Sequence, residues 1–209
     1  MSQYFSIHKI NPQPRLIHEA VKIINAGGII AYPTDSSYAL GCEIGNKEAM
    51  QRIRQIRKLD NAHNFTLICK DLSELSLYAK IDNAIYRLLK RFTPGPYTFI
   101  LKASREVPRR LQNPKRKTIG LRIPKDAVVS ALLEHFGQPL MSSTLLLPDD
   151  DYPLNDPVDI RERLENQVDL IIDAGPCDAK PTSVIDLVDR TPRILRHGKG
   201  DTKVFEPVA

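Results

Sequence analysis

The sequence predicts an α/β domain in which helices cover a twisted sheet of mixed strand direction. Three observations lead to this fold class. Segments with helical periodicity alternate with short apolar segments along almost the whole chain, and glycine and proline separate many of them. The 209 residues are 42% hydrophobic with no compositionally biased tract, which is enough for one core without disulfide bonds. We therefore expect a single domain over residues 1–209, with its core at about 14–200.

Local signals place each helix and strand. The first helix, at 16–24, ends before Gly27-Gly28, and Pro33 ends the strand that follows it. Asn46 is a suitable N-cap for the second helix, and Asp156 is one for the last helix, with Pro157 at its first position. Helices are predicted at 16–24, 46–56, 81–92, 127–136 and 157–166, and strands at 29–32, 65–69, 97–101, 118–123, 140–144, 168–172 and 183–188.

Cysteine usage and hydropathy favour a soluble cytoplasmic protein. Cys42, Cys69 and Cys177 are odd in number and widely spaced, so they indicate neither a disulfide framework nor a CxxC motif. The N-terminus lacks the basic and apolar regions of a signal peptide, and no run of about 18 apolar residues occurs. We expect no membrane partner, and the oligomeric state is left open.

Charge is distributed unevenly along the chain. Between 102 and 125, nine basic residues accompany one acidic residue, whereas between 149 and 189 twelve acidic residues accompany three basic ones. The pattern is typical of a protein with one anion-binding surface, but solvated faces at opposite ends of an ordinary domain would also produce it.

Several common catalytic motifs are absent from the sequence. It contains no GxxxxGK[ST] phosphate loop, no GxGxxG dinucleotide motif, no GxSxG nucleophile elbow and no histidine pair at zinc-binding spacing. Asp149-Asp150-Asp151 could contact a divalent cation, but a solvated loop is the commoner explanation, and we expect no metal site. An enzyme that uses a nucleophilic side chain is not indicated. Single histidines such as His63 and His197 are interpreted as structural.

Five segments resemble motifs of the YrdC/YciO family and occur in the family's order. They are 33–42 (PTDSSYALGC), 94–101 (PGPYTFIL), 118–124 (TIGLRIP), 181–186 (PTSVID) and 194–198 (ILRHG). The segments 64–67 (NFTL) and 108–111 (PRRL) are similar to the YciO branch in particular.

The resemblance implies a fold and an activity. The fold would be a YrdC-like twisted, mostly parallel or mixed sheet, flanked by helices around a deep basic cavity, without the second C-terminal domain of longer relatives. YrdC-type members are threonylcarbamoyl-adenylate synthases, which combine threonine, bicarbonate and ATP in the presence of magnesium and release pyrophosphate. The product serves the formation of N6-threonylcarbamoyladenosine in tRNA. Double-stranded RNA binding is also attributed to the family. Mg-ATP is thus a possible substrate, and no tightly bound cofactor is implied.

The matched motifs supply candidate binding residues, although no catalytic residue is assigned. Arginine can bind phosphate or carboxylate through two hydrogen bonds, and the hydroxyl groups of serine and threonine at strand ends are common ligand contacts. The ligand- or nucleotide-binding candidates are Thr34, Arg57, Lys58, Thr118, Arg122, Ser142, Ser143, Thr144, Ser183 and Arg196. We expect Thr34, Arg122 and Arg196 to meet at one anion pocket.

A second set of candidates is a cluster of cations in the basic segment. It comprises Arg105, Arg109, Arg110, Lys115, Arg116 and Lys117. No aromatic residues are interleaved with them, so base stacking is not indicated. The cluster is compatible with contacts to the phosphates and 2′-hydroxyls of tRNA or double-stranded RNA, and equally with a solvated loop.

Two motifs depart from the synthase pattern. The synthases have a Lys-x-Arg-Pro loop, where this chain has the sequence RKLDN at 57–61. Two alignments of this loop are possible. If Arg57 is aligned with the family's lysine, Leu59 takes the place of the family's arginine. If Lys58 is aligned with the lysine, Asp60 takes the place of the arginine. In the STSAN-like loop, a Ser-x-Asn pair becomes 144–146 (TLL), and leucine cannot replace a polar ligand contact.

Three functions are compatible with these residues. The first is a YciO-type protein that binds nucleotide and tRNA or double-stranded RNA, with synthase activity weak or lost. The second is an active threonylcarbamoyl-AMP synthase. The third is a tRNA-modification enzyme that acts on the threonylcarbamoyl group itself.

Overall fold

The computed structural model describes residues 1–60, 63–189 and 191–206, and its described strands form one ten-stranded sheet. Short 3₁₀ turns occur at Arg109–Leu111 and Lys203–Phe205. The elements in chain order are β1 (Gln3–Ser6), α1 (Pro14–Asn25), β2 (Ile30–Tyr32), β3 (Ala39–Glu43), α2 (Lys47–Arg57), β4 (Thr66–Ile68), α3 (Leu72–Tyr78), α4 (Asn83–Phe92), β5 (Tyr97–Lys102), β6 (Thr118–Arg122), α5 (Ala127–Phe136), β7 (Leu140–Thr144), α6 (Pro157–Leu164), β8 (Leu170–Asp173), β9 (Ser183–Asp186) and β10 (Arg193–Arg196).

The sheet is mixed, as predicted. Its strand order is β1-β8-β2-β3-β7-β4-β6-β5-β9-β10. The pairs β1–β8, β8–β2, β4–β6 and β5–β9 are parallel, and the five other described pairs are antiparallel, so parallel pairs are not the majority. At one edge, β10 pairs with β9 through a register shift between Ile194 and Arg196.

Capping side chains fix the helix starts that the sequence suggested. The side chain of Asn46 accepts a hydrogen bond from the amide of Ala49 at 2.9 Å, and that of Asp156 accepts one from Val158 at 2.8 Å. All five predicted helices are present. The structure adds β1, β3, α3 and β10, which the sequence pattern did not predict.

The two faces of the sheet are covered unequally. On one face, α2, α3, α4 and α6 contribute to a large buried cluster. On the other face, α1 and α5 pack against β8, β2, β3 and β7 and reach only Ile68 of β4. The second cluster contains no residue of β5, β6 or β9 among the described residues, so this half of the face is available to form a pocket.

None of the described helices has the length and apolar character needed to cross a bilayer.

Candidate functional site

A pocket of about 570 Å³ lies on the half of the sheet that α1 and α5 leave open. Side chains two residues apart on a strand share a face, and three strands contribute such pairs to the pocket. The pairs are Thr66 and Ile68 of β4, Thr98 and Ile100 of β5, and Ser142 and Thr144 of β7. This volume is within the usual range for small-molecule sites.

Gly120 keeps the middle of this floor open. It lies on β6 between Thr66 and Ile100, which are its register partners. A Cβ atom at this position would be 3.0 Å from Thr66 Oγ1 and 3.4 Å from Thr98 Cγ2. A larger side chain would therefore enter the pocket, which explains a glycine in a buried strand.

Arg122, the last residue of β6, lines the pocket and is held by a turn. Its Nη2 donates to Ser36 Oγ at 2.9 Å, to Thr34 Oγ1 at 3.3 Å and to the carboxylate of Asp35. The second oxygen of Asp35 accepts from the amide of Lys125 at 2.8 Å. Arg122 Nε is buried and has no hydrogen-bond partner among the described residues. The guanidinium is thus fixed on one side and unsatisfied at Nε.

Thr34 supports Arg122 and does not itself line the pocket. Its hydroxyl donates to the carbonyl of Ser37 at 2.6 Å and accepts from the amides of Ser36 and Ser37. These bonds close a tight turn, and Ser37 is the residue of the turn that reaches the pocket. A direct contact of Thr34 with ligand stays a prediction.

Arg196 of β10 reaches the same pocket from the sheet edge. Its Nε donates to the carbonyl of Thr182 at 2.9 Å, and its Nη2 donates to Thr182 Oγ1 at 3.1 Å. Thr98 Oγ1 lies 2.9 Å from Thr182 Oγ1. Arg196 is exposed at the sheet edge, but partial desolvation of its guanidinium lowers its pKa, and the positive charge of Arg122 lowers it further. Two cations that repel each other across a pocket favour a bound anion, which would relieve the repulsion.

Arg57, the last residue of α2, is a third cation of the pocket. Its Nε donates to the carbonyl of Leu146 at 2.9 Å, and its Nη1 donates to Ser143 Oγ. Burial lowers its pKa to about 10. Lys58 is an exposed C-cap with a φ of 47°, and it does not line the pocket. Of these two neighbouring cations, Arg57 therefore lies in the pocket and Lys58 lies outside it.

His63 also lines the pocket, which the sequence interpretation missed. Its Nε2 lies 3.4 Å from Ser143 Oγ, and its ring packs edge-on against Phe65 with centroids 5.4 Å apart. Burial lowers the pKa of His63 to about 4, with the charges of Arg57 and Arg54 adding to the effect. No motif marked this residue, because it stands in a loop just before β4.

The remaining ligand-binding candidates separate into two groups. Ser142 and Thr144 line the pocket, and Ser142 Oγ lies 2.6 Å from the hydroxyl of Tyr32.

Thr118 is buried at the far end of β6, roughly 13 Å from Arg122 along the strand. Ser183 donates to the carbonyl of Gly200 at 2.6 Å and accepts from the amide of Gly198 at 3.0 Å. Neither Thr118 nor Ser183 lines the pocket, so the structure does not bring them together with the arginines, and a ligand contact of either stays a prediction.

Hydroxyl residues that the sequence interpretation did not select also form the pocket. Thr66, Thr98 and Thr182 line it together with Asn64. The alternating Thr-x-Ile pattern at 66–68 and 98–100 was the available signal, because it places polar and apolar side chains on one face.

All six cations of the RNA-binding candidate cluster are exposed. Lys115, Arg116 and Lys117 precede Thr118 and so lie near the end of β6 that is remote from Arg122. Arg116 forms an ion pair with the buried carboxylate of Asp186 at 2.7 Å, and Arg110 donates to the carbonyl of Gly45. These two side chains are therefore already engaged within the protein.

The acidic run at 149–151 does not form a cation site among the described residues. Asp150 forms a two-point ion pair with Arg163, at 2.9 and 3.0 Å. Asp151 lies at the pocket rim beside Tyr152. Within residues 1–60, 63–189 and 191–206, no group of three or more His, Cys, Asp or Glu residues is placed to hold a metal ion.

The fold and the site define an α/β protein with an arginine-lined pocket on the open half of a mixed sheet. A family model described as telomere recombination, covering Sua5, YciO and YrdC, matches residues 22–198. The chain belongs to this family.

Relatives with known structures or curated names support this assignment. The YciO protein of Escherichia coli K12 is 57% identical over 205 residues, which cover 98% of this chain and 100% of YciO. The crystal structure of E. coli YciO matches with a TM-score of 0.95, covering 99% of this chain and 100% of that one. Threonylcarbamoyl-AMP synthase of Coxiella burnetii RSA 493 is 32% identical, covering 86% of this chain and 96% of the synthase. The structure of P. abyssi Sua5 complexed with L-threonine matches at 25% identity and a TM-score of 0.86, covering 94% of this chain and 58% of Sua5.

Proposed function

We propose that the pocket binds an adenine nucleotide through its phosphates, in a YciO-type relative of the threonylcarbamoyl-AMP synthases whose own synthase activity is weak or lost. The observation that carries the proposal is the convergence of Arg122 and Arg196 on one cavity. Fixed guanidinium groups in a sheltered site are efficient phosphate ligands. The ATP would enter as its magnesium complex, as a substrate rather than as a resident cofactor.

The relatives support a nucleotide as the ligand. One similar protein is named as a threonylcarbamoyl-AMP synthase, and a similar Sua5 structure contains L-threonine. The pocket offers what such a reaction needs, namely cations for phosphate and carboxylate and hydroxyl donors for polar groups. Its volume suits a nucleotide-sized ligand.

The reduced synthase activity is inferred from two altered loops. We align Arg57 with the family's lysine because Arg57, unlike Lys58, lines the pocket. In this register Leu59 stands where the synthases have arginine, and Leu59 packs against the large apolar cluster. In the second loop Leu145 is fully buried, and Leu146 presents an aliphatic side chain to the pocket. None of these three leucine side chains can bind phosphate or a nucleobase edge, so stabilisation of the transition state is expected to be reduced.

Replacing Arg196 by alanine is expected to weaken ATP binding by about 10- to 100-fold, because a charge-assisted phosphate contact is lost. Isothermal titration of the whole chain with Mg-ATP measures this. Arg193→Ala is the matched control, because Arg193 is exposed on the same strand and pairs with Asp189. Failure of the unaltered protein to bind Mg-ATP would refute the proposal. Pyrophosphate release that depends on threonine and bicarbonate, well above a buffer blank, would instead establish the active synthase.

We further propose that RNA binds at the exposed cations Arg105, Arg109, Lys115 and Lys117. Support comes from their exposure on one segment that is rich in positive charge. Affinity for duplex RNA or tRNA should fall steeply with salt, with a slope that decreases by roughly one for each contacting cation removed. A filter-binding series in 50–200 mM salt tests this with Arg109→Glu and Lys115→Glu. An affinity for RNA that is insensitive to both charge reversals would exclude this segment as the RNA-binding site. In a separate incubation with modified tRNA, loss of threonylcarbamoyl groups would favour the third function, an enzyme that acts on the modification itself.

A further inference from the structure

We propose that Ser143, His63 and Arg57 form a hydrolytic centre of the pocket, in which Ser143 accepts an acyl group from an acyl adenylate and water then releases it. The proposal rests on the proposed function, since Arg122 and Arg196 would hold the phosphate half of this substrate. It also goes beyond that function, because it assigns a covalent step that nucleotide binding does not require.

The chemistry of its two partners determines where the Ser143 proton points. A serine hydroxyl has one hydrogen to donate and two lone pairs with which to accept. Arg57 Nη1 is always a donor, so it occupies a lone pair of Ser143 Oγ. The other contact, at 3.4 Å, is His63 Nε2, which can accept when the imidazole is neutral with its proton on Nδ1. In this tautomer the hydroxyl hydrogen is directed at His63, as a nucleophile–base pair requires.

The surroundings of His63 keep it neutral and in place. It is partly buried in the pocket wall, packs edge-on against Phe65, and lies near the cations Arg57 and Arg54, whose charges oppose protonation. The backbone amide of His63 donates to the carbonyl of Asp60 at 3.3 Å. The negative charge of the Asp60 side chain raises the pKa of His63 and so opposes the effect of the two arginines. An anionic substrate beside Arg57 would offset part of the repulsion and make the imidazole a stronger base.

Arg57 has a second role in this centre. A guanidinium carries five N–H donors, and the contacts with Leu146 and Ser143 involve Nε and Nη1. The group therefore lies beside the oxygen that attacks, where a carbonyl oxygen would gain negative charge in the tetrahedral state. A fixed donor at this place stabilises that charge.

The proposed hydrolysis has two steps, acylation of Ser143 and deacylation by water. Ser143 Oγ attacks the carbonyl carbon of the acyl adenylate and its proton passes to His63 Nε2. The bond between that carbon and the phosphate oxygen breaks, and AMP leaves with the electron pair. His63 gives its proton to the medium, then takes one from an attacking water, whose oxygen bonds to the carbonyl carbon. The ester bond breaks, and Ser143 Oγ recovers a proton from His63. The sum is acyl adenylate plus water giving the acid plus AMP.

Chemically prepared acetyl adenylate, mixed with the whole protein and quenched in acid, tests the proposal. The expected results are a rapid release of about one AMP per protein and an acetyl group on the peptide that contains Ser143. Ser143→Ala should slow AMP release by at least about 1,000-fold, and His63→Gln by about 100-fold. AMP release by the unaltered protein should fall as pH decreases towards 4, because protonated His63 cannot accept a proton.

Ser130→Ala and His135→Gln are the matched controls. Ser130 donates to a carbonyl of its own helix, and His135 contacts one, both on exposed residues of α5. Both variants should release AMP at the unaltered rate. AMP release no faster than the protein-free blank, or release that Ser143→Ala leaves unchanged in a folded protein, would overturn the hydrolytic centre. Mg-ATP titration of the same samples separates the two proposals: binding without acetylation refutes only this one, and acetylation without ATP binding refutes only the nucleotide site.

Discussion

Replacing Arg122 by methionine is expected to lower the free energy of unfolding by about 3–5 kcal/mol, because it leaves a buried carboxylate without its partner. The side chains of Arg122 and Asp35 are only 8% and 10% exposed, so solvent screens the pair weakly. Methionine would also remove the donors to Ser36 and Thr34 that organise the turn. Urea unfolding at neutral pH measures the loss.

A second substitution distinguishes charge from packing at this position. Adding Asp35→Asn to Arg122→Met removes the unpaired charge yet keeps an oxygen that can accept from the Lys125 amide. The double variant should recover about 2 kcal/mol relative to Arg122→Met. Arg193→Met, which breaks an exposed pair with Asp189, should cost less than about 1 kcal/mol. Equal losses for Arg122→Met and Arg193→Met would show that the buried pair does not stabilise the fold.

Gly198→Ala is expected to destabilise the protein by about 3 kcal/mol and to weaken Mg-ATP binding at least tenfold. A Cβ atom here would lie 2.3 Å from the carbonyl carbon of Thr182 and 2.4 Å from the carbonyl oxygen of Pro181. Because these are backbone atoms, the chain itself must move. Arg196 is two residues away and bonds to Thr182, so the displacement would reach the pocket.

Gly137→Ala serves as the control for Gly198→Ala. Gly137 has a φ of 75°, and no atom of the part of the chain that the structure describes lies within 4 Å of the added Cβ, so its substitution costs only the conformational free energy of about 1–2 kcal/mol. It should leave ATP binding unchanged, because Gly137 ends α5 outside the pocket. If Gly198→Ala proved no more destabilising than Gly137→Ala, close approach to Thr182 would not explain this glycine. Melting curves and Mg-ATP titration of both variants provide the comparison.

The predictable part of the fold is the part with strong local signals. The five helices that begin at N-caps or show clear periodicity were all identified, and Asn46 and Asp156 cap their helices as expected. The helix α3 has only seven residues, which is too short for periodicity to be recognised. The strands β1 and β10 lie at the sheet edges and have no fully buried residue, so hydrophobic alternation is weak there.

The candidate site was predictable where a motif fixed the position. Arg57, Arg122, Ser143 and Arg196 came from motifs, and they converge on one pocket. Thr118 and Ser183 came from motifs of the same family, but neither residue lines the pocket. The packing of helices on the sheet determines which end or face of a strand borders a cavity, and the order of residues along the chain does not reveal that packing. His63 belongs to no motif, and nothing in the chain order indicates that it lies beside Ser143.

The position of β10 at the sheet edge would link the affinity of the proposed ligand to local order. Among the described strands it pairs only with β9, and it does so across a register shift, yet it supplies one of the three pocket arginines. Edge segments open at a lower free-energy cost than central strands, so this arginine can withdraw while the core stays folded. An anion bound by Arg196 would contribute the closing free energy, and we expect amide hydrogen exchange in β10 to slow as occupancy rises.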